Sequence, residues 1–369
     1  MRRIDPETAR AAVMGGLVFG AGGGGLERGL RAATTVCELG QPLLATLDEL
    51  TNDDGIVVTT GVGAPGIGRR LVWPKDNLRV VELLREAYSG PGRVAGIMVS
   101  HPGAFMVGTW LPAALDPGLV VADCAANGRG HPTVAMGGMG LTGRAGARVI
   151  QTGAGGSVEE GTYLEIVARG TMAATANMLH HASTMAGGAI AACRGPFTVR
   201  FCREAGAVGA IGACIRLGEA MLDAADKGAE AMTAAILDTL GGHELGRGRV
   251  ATHDLEMVHN WEVGRIAVGA DGAILDVTVC NEFMAVTRDS ARLATFPDLI
   301  VLLSPRDGMP RAAAHVAAGD DVTVAVVPRA GVALGAGVRD AAVYAEVERM
   351  TGTELASYAL TGAGQEQQP

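Results

Sequence analysis

Between positions 99 and 132 the chain reads VSHPGAFMVGTWLPAALDPGLVVADCAANGRGHP, and this stretch holds most of the side chains that could do chemistry. His101, Asp123, Cys124, Arg129 and His131 stand at the ends of two apolar runs, among prolines and glycines. An imidazole oriented by a carboxylate is the arrangement of a general base, and a thiol beside it is a candidate nucleophile. His101, Asp123, Cys124 and His131 are therefore the candidate catalytic residues. Histidine, carboxylate and thiolate are also the donors zinc prefers, which makes His101, Asp123 and His131 candidate metal ligands. Their spacing matches no closed zinc motif, so such ligands would have to be gathered from separate strand ends. Arg129, between two glycines, could reach a planar carboxylate or imide through two parallel hydrogen bonds.

For these residues to meet one ligand, a scaffold must bring both loops to the same edge. The surrounding pattern supplies one. PLLATL, GIVVTTG, RVAGIMVS and GLVVAD are strand-like runs, and NLRVVELLREAYSG between two of them is an amphipathic helix ending on glycine. AFMVGTWLPAAL forms a shorter helix. Strand-helix-strand order at this spacing implies right-handed crossovers and a mostly parallel sheet, whose ligands bind beyond the carboxyl ends of the strands. Three loops leave those ends: GVGAPGIG (61–68), SHPGAF (100–105) and DCAANGRGHP (123–132).

Asp5-Pro6-Glu7 opens a helix that runs to about Phe19 and feeds GAGGGGLERG (20–29). Gly20, Gly22 and Gly25 fit a dinucleotide fingerprint, but that motif acts only when a strand precedes it, so no nucleotide cofactor is expected. A long helical region is expected over SVEEGTYLEIVARGTMAATANMLHHASTMAGG, after the strand ARVIQTG. Two further helices, about 208–225 and 229–240, precede short β runs with Asp-Gly and Gly-Asp turns. The expected fold class is α/β. An N-terminal domain with a mostly parallel sheet and flanking helices (1–168) precedes a helix-plus-β-rich C-terminal domain (169–361) and a disordered tail (362–369).

Composition narrows the function. Hydrophobic residues make up 48% but aromatics only 4%, with 55 glycines, so small apolar side chains must fill the core. A net charge of −9 without a basic stripe argues against nucleic acid. The six cysteines include no C-x-x-C pair and read as reduced thiols of a cytoplasmic protein. Asp5 and Glu7 are wrong for a secretion signal, and no apolar run reaches the length of a membrane span. The remaining histidines are weaker candidates. His180 and His181 diverge by about 100° on a helix, His243 follows a helix end, His253 and His259 share a strand face, and His315 lies in a surface-like helix.

Taken in order, GAGGGG, Gly63-Ala64-Pro65, GLVVAD with Gly128-Arg129 and Pro132, CNEFMA (280–285) and PDLI (297–300) resemble the DUF917 family, the S-methyl thiohydantoin desulfurases related to hydantoinases and oxoprolinases. The resemblance runs over nearly the whole chain. It implies two domains and a hydrolase acting on cyclic ureides or thioureides with zinc assistance. It adds Gly23, Gly24, Gly63, Ala64, Pro65, Arg129, Asn281 and Glu282 as substrate-binding positions. The chain is a divergent member. The family's loop pattern Glu-x-Gly-Gly-x-Asn places His101 on an acidic position and Met106 on the Asn. In the next loop Ala125 and Thr133 replace a second Asp and a Glu.

The expected function is a hydrolase-like enzyme acting on a small cyclic amide, imide or S-methyl thiohydantoin by addition to a ring carbon, with zinc as expected cofactor. One rival is a repurposed, metal-independent member catalysing a cyclisation or elimination. Another is a non-catalytic subunit or small-molecule binder with a hydantoinase-like partner. A homo-oligomer is expected, with neither nucleic acid nor membrane as partner.

Overall fold

The computed structural model describes residues 1–20, 25–63, 71–258 and 261–360. Two sheets carry the fold. In the first, four strands run parallel in the order Leu43–Ala45, Val120–Ala125, Val94–Val99, Gly55–Gly63. The sheet then continues antiparallel through Ala189–Thr198, Val149–Gly155 and Leu164–Gly170. The parallel centre was readable as continuous apolar runs, since strands covered on both faces need no polar alternation. Residues 164–170, expected in a helix, form instead an edge strand with alternating burial, and the helix occupies only Met172–Met185. The run LEIVARG carries the period of two that the longer helical pattern obscured.

The expected division at 168/169 falls inside the Leu164–Gly170 strand, and the first sheet continues past it to Ala207–Val208. The second sheet begins at His243 and is antiparallel throughout, from Ala291–Thr295 at one edge to Pro310–Arg311 at the other.

Helix Pro6–Phe19 is opened by Asp5, whose side chain accepts from Thr8 N at 2.8 Å. It packs along helix Ala210–Ala224 so closely that a Cβ on Gly218 would stand 1.7 Å from the Ala11 carbonyl oxygen. This pair backs the parallel strands. Its core is filled by Ala9, Val13, Leu17, Ile215 and Leu217, all almost fully buried. Among the described residues, no helix is long and apolar enough to cross a membrane.

Candidate functional site

The loops after Val94–Val99 and Val120–Ala125 do open on one edge, because their strands are parallel neighbours. Backbone hydrogen bonds extend the pairing past the strands, Ala126 N to Val99 O at 3.0 Å and Asn127 N to Ser100 O at 2.9 Å. Gly130 N then donates to Phe19 O at 2.8 Å, which fixes the second loop to the end of the first helix. The result places His131 against His101. Their ring centroids are 5.3 Å apart and their planes 74° apart, an edge-to-face contact.

The proton of His131 can be assigned. Its Nδ1 lies 2.8 Å from the carbonyl oxygen of Thr133, which can only accept. Nδ1 therefore carries the hydrogen, and Nε2 is left with its lone pair. That Nε2 is buried and makes no hydrogen bond among the described residues. A Cβ on Gly137 would stand 2.5 Å from it, so this glycine leaves the space Nε2 occupies. His101 has Ser100 Oγ at 3.3 Å from its Nδ1.

Both imidazoles stay neutral. Burial, reinforced by the positive charge of Arg129, pushes the His101 pKa down to about 4. For His131, burial first and then His101, Arg194 and Arg129 outweigh the Thr133 hydrogen bond and bring it to about 3.

Two cavities meet at His101. The smaller, about 180 Å³, has His101, His131, Arg194 and Gln151 in its wall, with Val58, Val62, Leu179 and Ala192 around them. The larger, about 770 Å³, is lined by Gly63, Arg28, Phe105, Asn281 and Glu282 among others. His101, Gly61 and Val62 line both.

Glu282 comes from the second sheet. Asn281 makes a one-residue turn between Ala273–Cys280 and Glu282–Arg288, with φ +54°, and its Oδ1 accepts from Glu262 N at 2.9 Å. The turn presents Glu282 to Arg129, with Oε2 3.3 Å from Nη2. Burial raises the Glu282 carboxyl to about 7, against the opposing pull of Arg129.

Arg129 has another task than the expected one. It is 0% exposed, and its guanidinium donates to Gly130 O at 2.9 Å, Asp298 O at 2.5 Å and Glu282. It also stacks 4.6 Å from the centre of the Phe296 ring. Those bonds join the 123–132 loop to the second sheet, and Arg129 lines neither cavity.

Asp123 and Cys124 are not brought to the histidines. Neighbouring strand residues point to opposite faces. Asp123 turns to helix Ala210–Ala224, where its Oδ1 accepts from Gly212 N at 2.8 Å. Cys124 turns to an apolar cluster with Val58, Met98 and Cys202, donates weakly to Ala125 O, and is pushed up to about 12 by burial. A thiol in that state supplies no thiolate near neutral pH. Gly23, Gly24, Ala64 and Pro65 lie outside the described residues, as do His259 and the 362–369 tail.

The expected zinc set therefore loses Asp123, and Glu282 is engaged with Arg129. Among the described residues, no group of three or more His, Cys, Asp or Glu side chains is arranged to hold a metal ion. The donors present do not fit zinc.

Sequence reasoning missed Arg194, Gln151 and His180 as cavity residues. Arg194 did carry a signal, as the one charge in the apolar strand AIAACRGPFT. His180, set aside for pointing away from His181, faces the cavity from helix Met172–Met185.

Comparison with known proteins gives one family match, to the S-Me-THD-like C-terminal domain, over residues 171–332. Residues 171–332 of this chain are thus similar to the C-terminal domain of S-Me-THD-like proteins. This S-Me-THD-like region contributes Arg194 and His180 to the smaller cavity and Asn281 and Glu282 to the larger. A crystal structure of a structural-genomics protein from Chromobacterium violaceum has the same fold, with a TM-score of 0.70 at 21% identity. That match covers 95% of this chain and 97% of the other. No curated protein matches.

Proposed function

We propose that this protein is an enzyme that hydrolyses a small cyclic substrate of the S-methyl thiohydantoin type, with His131 as the general base. The observation that carries the reading is the lone-pair-bearing Nε2 of His131, unpartnered among the described residues, on an imidazole that lines a small, mostly apolar cavity. The likeness of residues 171–332 to the S-Me-THD-like C-terminal domain supports the substrate class.

In this reading the ring lies against the His101–His131 pair. His131 Nε2 takes a proton from water as the oxygen adds to the ring carbon bearing sulfur. The carbon–sulfur bond then breaks, methanethiolate leaves with the electron pair, and it receives the proton from the imidazolium. The remaining hydroxyl proton passes to the ring nitrogen that held the carbon–nitrogen double bond, and the carbon retains the oxygen as a carbonyl, so ring and water become hydantoin and methanethiol. His101 packs on the edge of His131 and restricts its orientation. The apolar walls exclude bulk water, which strengthens each electrostatic contact inside.

The test is methanethiol release from S-methyl thiohydantoins carrying small 5-substituents, followed with a thiol reagent. Wild type is expected to release it and His131→Gln to release almost none. Binding of the substrate by wild type with no thiol released would overturn the enzymatic reading in favour of a small-molecule binder.

A further inference from the structure

Among the described residues, Arg194 is a buried cation without a counter-ion. It projects from strand Ala189–Thr198, is nine-tenths buried, and forms no ion pair with any of the described residues. Its Nη2 donates to Gly137 O at 2.9 Å and its Nη1 meets Met172 Sδ at 3.3 Å. Its Nε is buried and has no hydrogen-bond partner. Compared with Arg129, which is equally enclosed but answered by Glu282, the guanidinium of Arg194 is left electrostatically open. An uncompensated charge in an apolar setting is expensive, and an anion beside it offsets that cost.

The space beside it has a definite size. Arg194 is in the wall of the roughly 180 Å³ cavity, between its strand neighbours Val58 and Gln151. A cavity of about 150 Å³ holds a benzene ring, so this one admits a single small ring with a short substituent. Gln151 Nε2 is already engaged with Thr175 Oγ1 at 2.7 Å, and the surrounding Val62, Ala176, Leu179 and Ala192 are apolar. The ligand therefore meets one cation, the His101, His131 and His180 imidazoles, and otherwise mostly hydrocarbon.

We infer that the small cavity recognises a ring compound bearing a carboxylate, with the Arg194 guanidinium as the anion-binding group. A carboxylate is ionised throughout the neutral range, whereas a ring imide N–H is not, and its two oxygens suit a guanidinium edge. The inference rests on the reading above in that it gives that ring substrate an acidic substituent. Its readout is binding, so it stands or falls apart from turnover. Arg194 is also beside His131 and helps to hold that imidazole neutral. A bound carboxylate cancels this influence and makes His131 a stronger base only once the ligand is in place.

The experiment titrates cyclopentanecarboxylate and its neutral isostere cyclopentanecarboxamide into the full chain by calorimetry. Wild type is expected to prefer the carboxylate by roughly 10- to 100-fold, the range for a hydrogen bond to a charged group. Arg194→Met, which keeps the side chain's length without its charge, should abolish the preference while the carboxamide binds as before. Arg194→Lys should restore part of it. Equal affinity of wild type for the two probes would overturn the inference. So would an Arg194→Met protein that stays folded by circular dichroism but binds the carboxamide clearly more weakly than wild type does, because Arg194 would then only brace Gly137. Absence of methanethiol release with the preference intact would defeat the hydrolytic reading alone.

Discussion

His131 stands edge-on to His101 with ring centroids 5.3 Å apart, and only one of its two nitrogens has a hydrogen-bond partner among the described residues. The free nitrogen is the one turned away from the Thr133 carbonyl. Replacing His131 by Gln should lower turnover by about 10²- to 10⁴-fold, the usual worth of a positioned general base. The KM should move far less. Turnover within threefold of wild type would remove His131 from the mechanism.

Gly137 is a sharper probe of the same nitrogen. An added methyl group would press on His131 Nε2 and Cε1, both 2.5 Å from the new Cβ, and the ring must swing away. Gly137→Ala is therefore expected to lose most activity while unfolding at a denaturant concentration close to that of wild type. An active Gly137→Ala enzyme would show that the position of Nε2 is immaterial.

The ion pair of Arg129 and Glu282 is structural in its main effect. Removing the carboxylate leaves a fully buried guanidinium with carbonyl partners only, and breaking such pairs costs about 3–5 kcal/mol. Glu282→Ala should thus shift the urea midpoint down markedly. A midpoint unchanged within error would mean that water reaches Arg129.

Acid stability follows from the same groups. His101 and His131 are depressed from 6.5 to about 4 and about 3, so the folded chain binds fewer protons than the unfolded one below pH 6.5. Their contribution is complete above 6.5 and is lost as pH falls. Glu282 is raised from 4.5 to about 7, so its contribution is present below 4.5 and is lost as pH rises through 7. Two groups oppose one between 4.5 and 6.5, and stability should rise with pH there. Urea midpoints at pH 5 and pH 6.5 check the sign, which should reverse in a His101→Gln, His131→Gln double variant.

Asp123 and Cys124 should matter for folding and not for turnover. Asp123→Ala removes the carboxylate that accepts from Gly212 N in the first turn of helix Ala210–Ala224, a loss of about 1 kcal/mol. Cys124→Ala should leave methanethiol release unchanged, as should prior treatment of the protein with a chelator. A strongly reduced rate in either case would restore the thiol or the metal to the chemistry.

The first strands and the edge where their loops open were legible because continuous apolar runs separated by an amphipathic helix leave few alternatives to a parallel sheet. His101 and His131 could be picked out for that reason. The direction in which Asp123 and Cys124 point was not legible, since parity along a strand assigns faces only once the neighbouring layers are known. Arg129 shows the other limit. Its partners Glu282 and Asp298 are 153 and 169 residues away along the chain, and nothing local distinguishes a guanidinium that meets a ligand from one that meets a distant carbonyl. Arg194 was overlooked for the opposite reason. It sits within a run that reads as ordinary core, where one charge is easily taken for an edge.

The Arg129 clasp has a consequence for how the molecule comes into being. The histidines belong to a segment translated early, while the groups that immobilise their loop emerge some 150 residues later. Closing so long a span carries a large entropic toll before any contact rewards it. The nascent N-terminal half can therefore own both imidazoles and still lack a working centre, which comes into existence only when the last-made sheet docks.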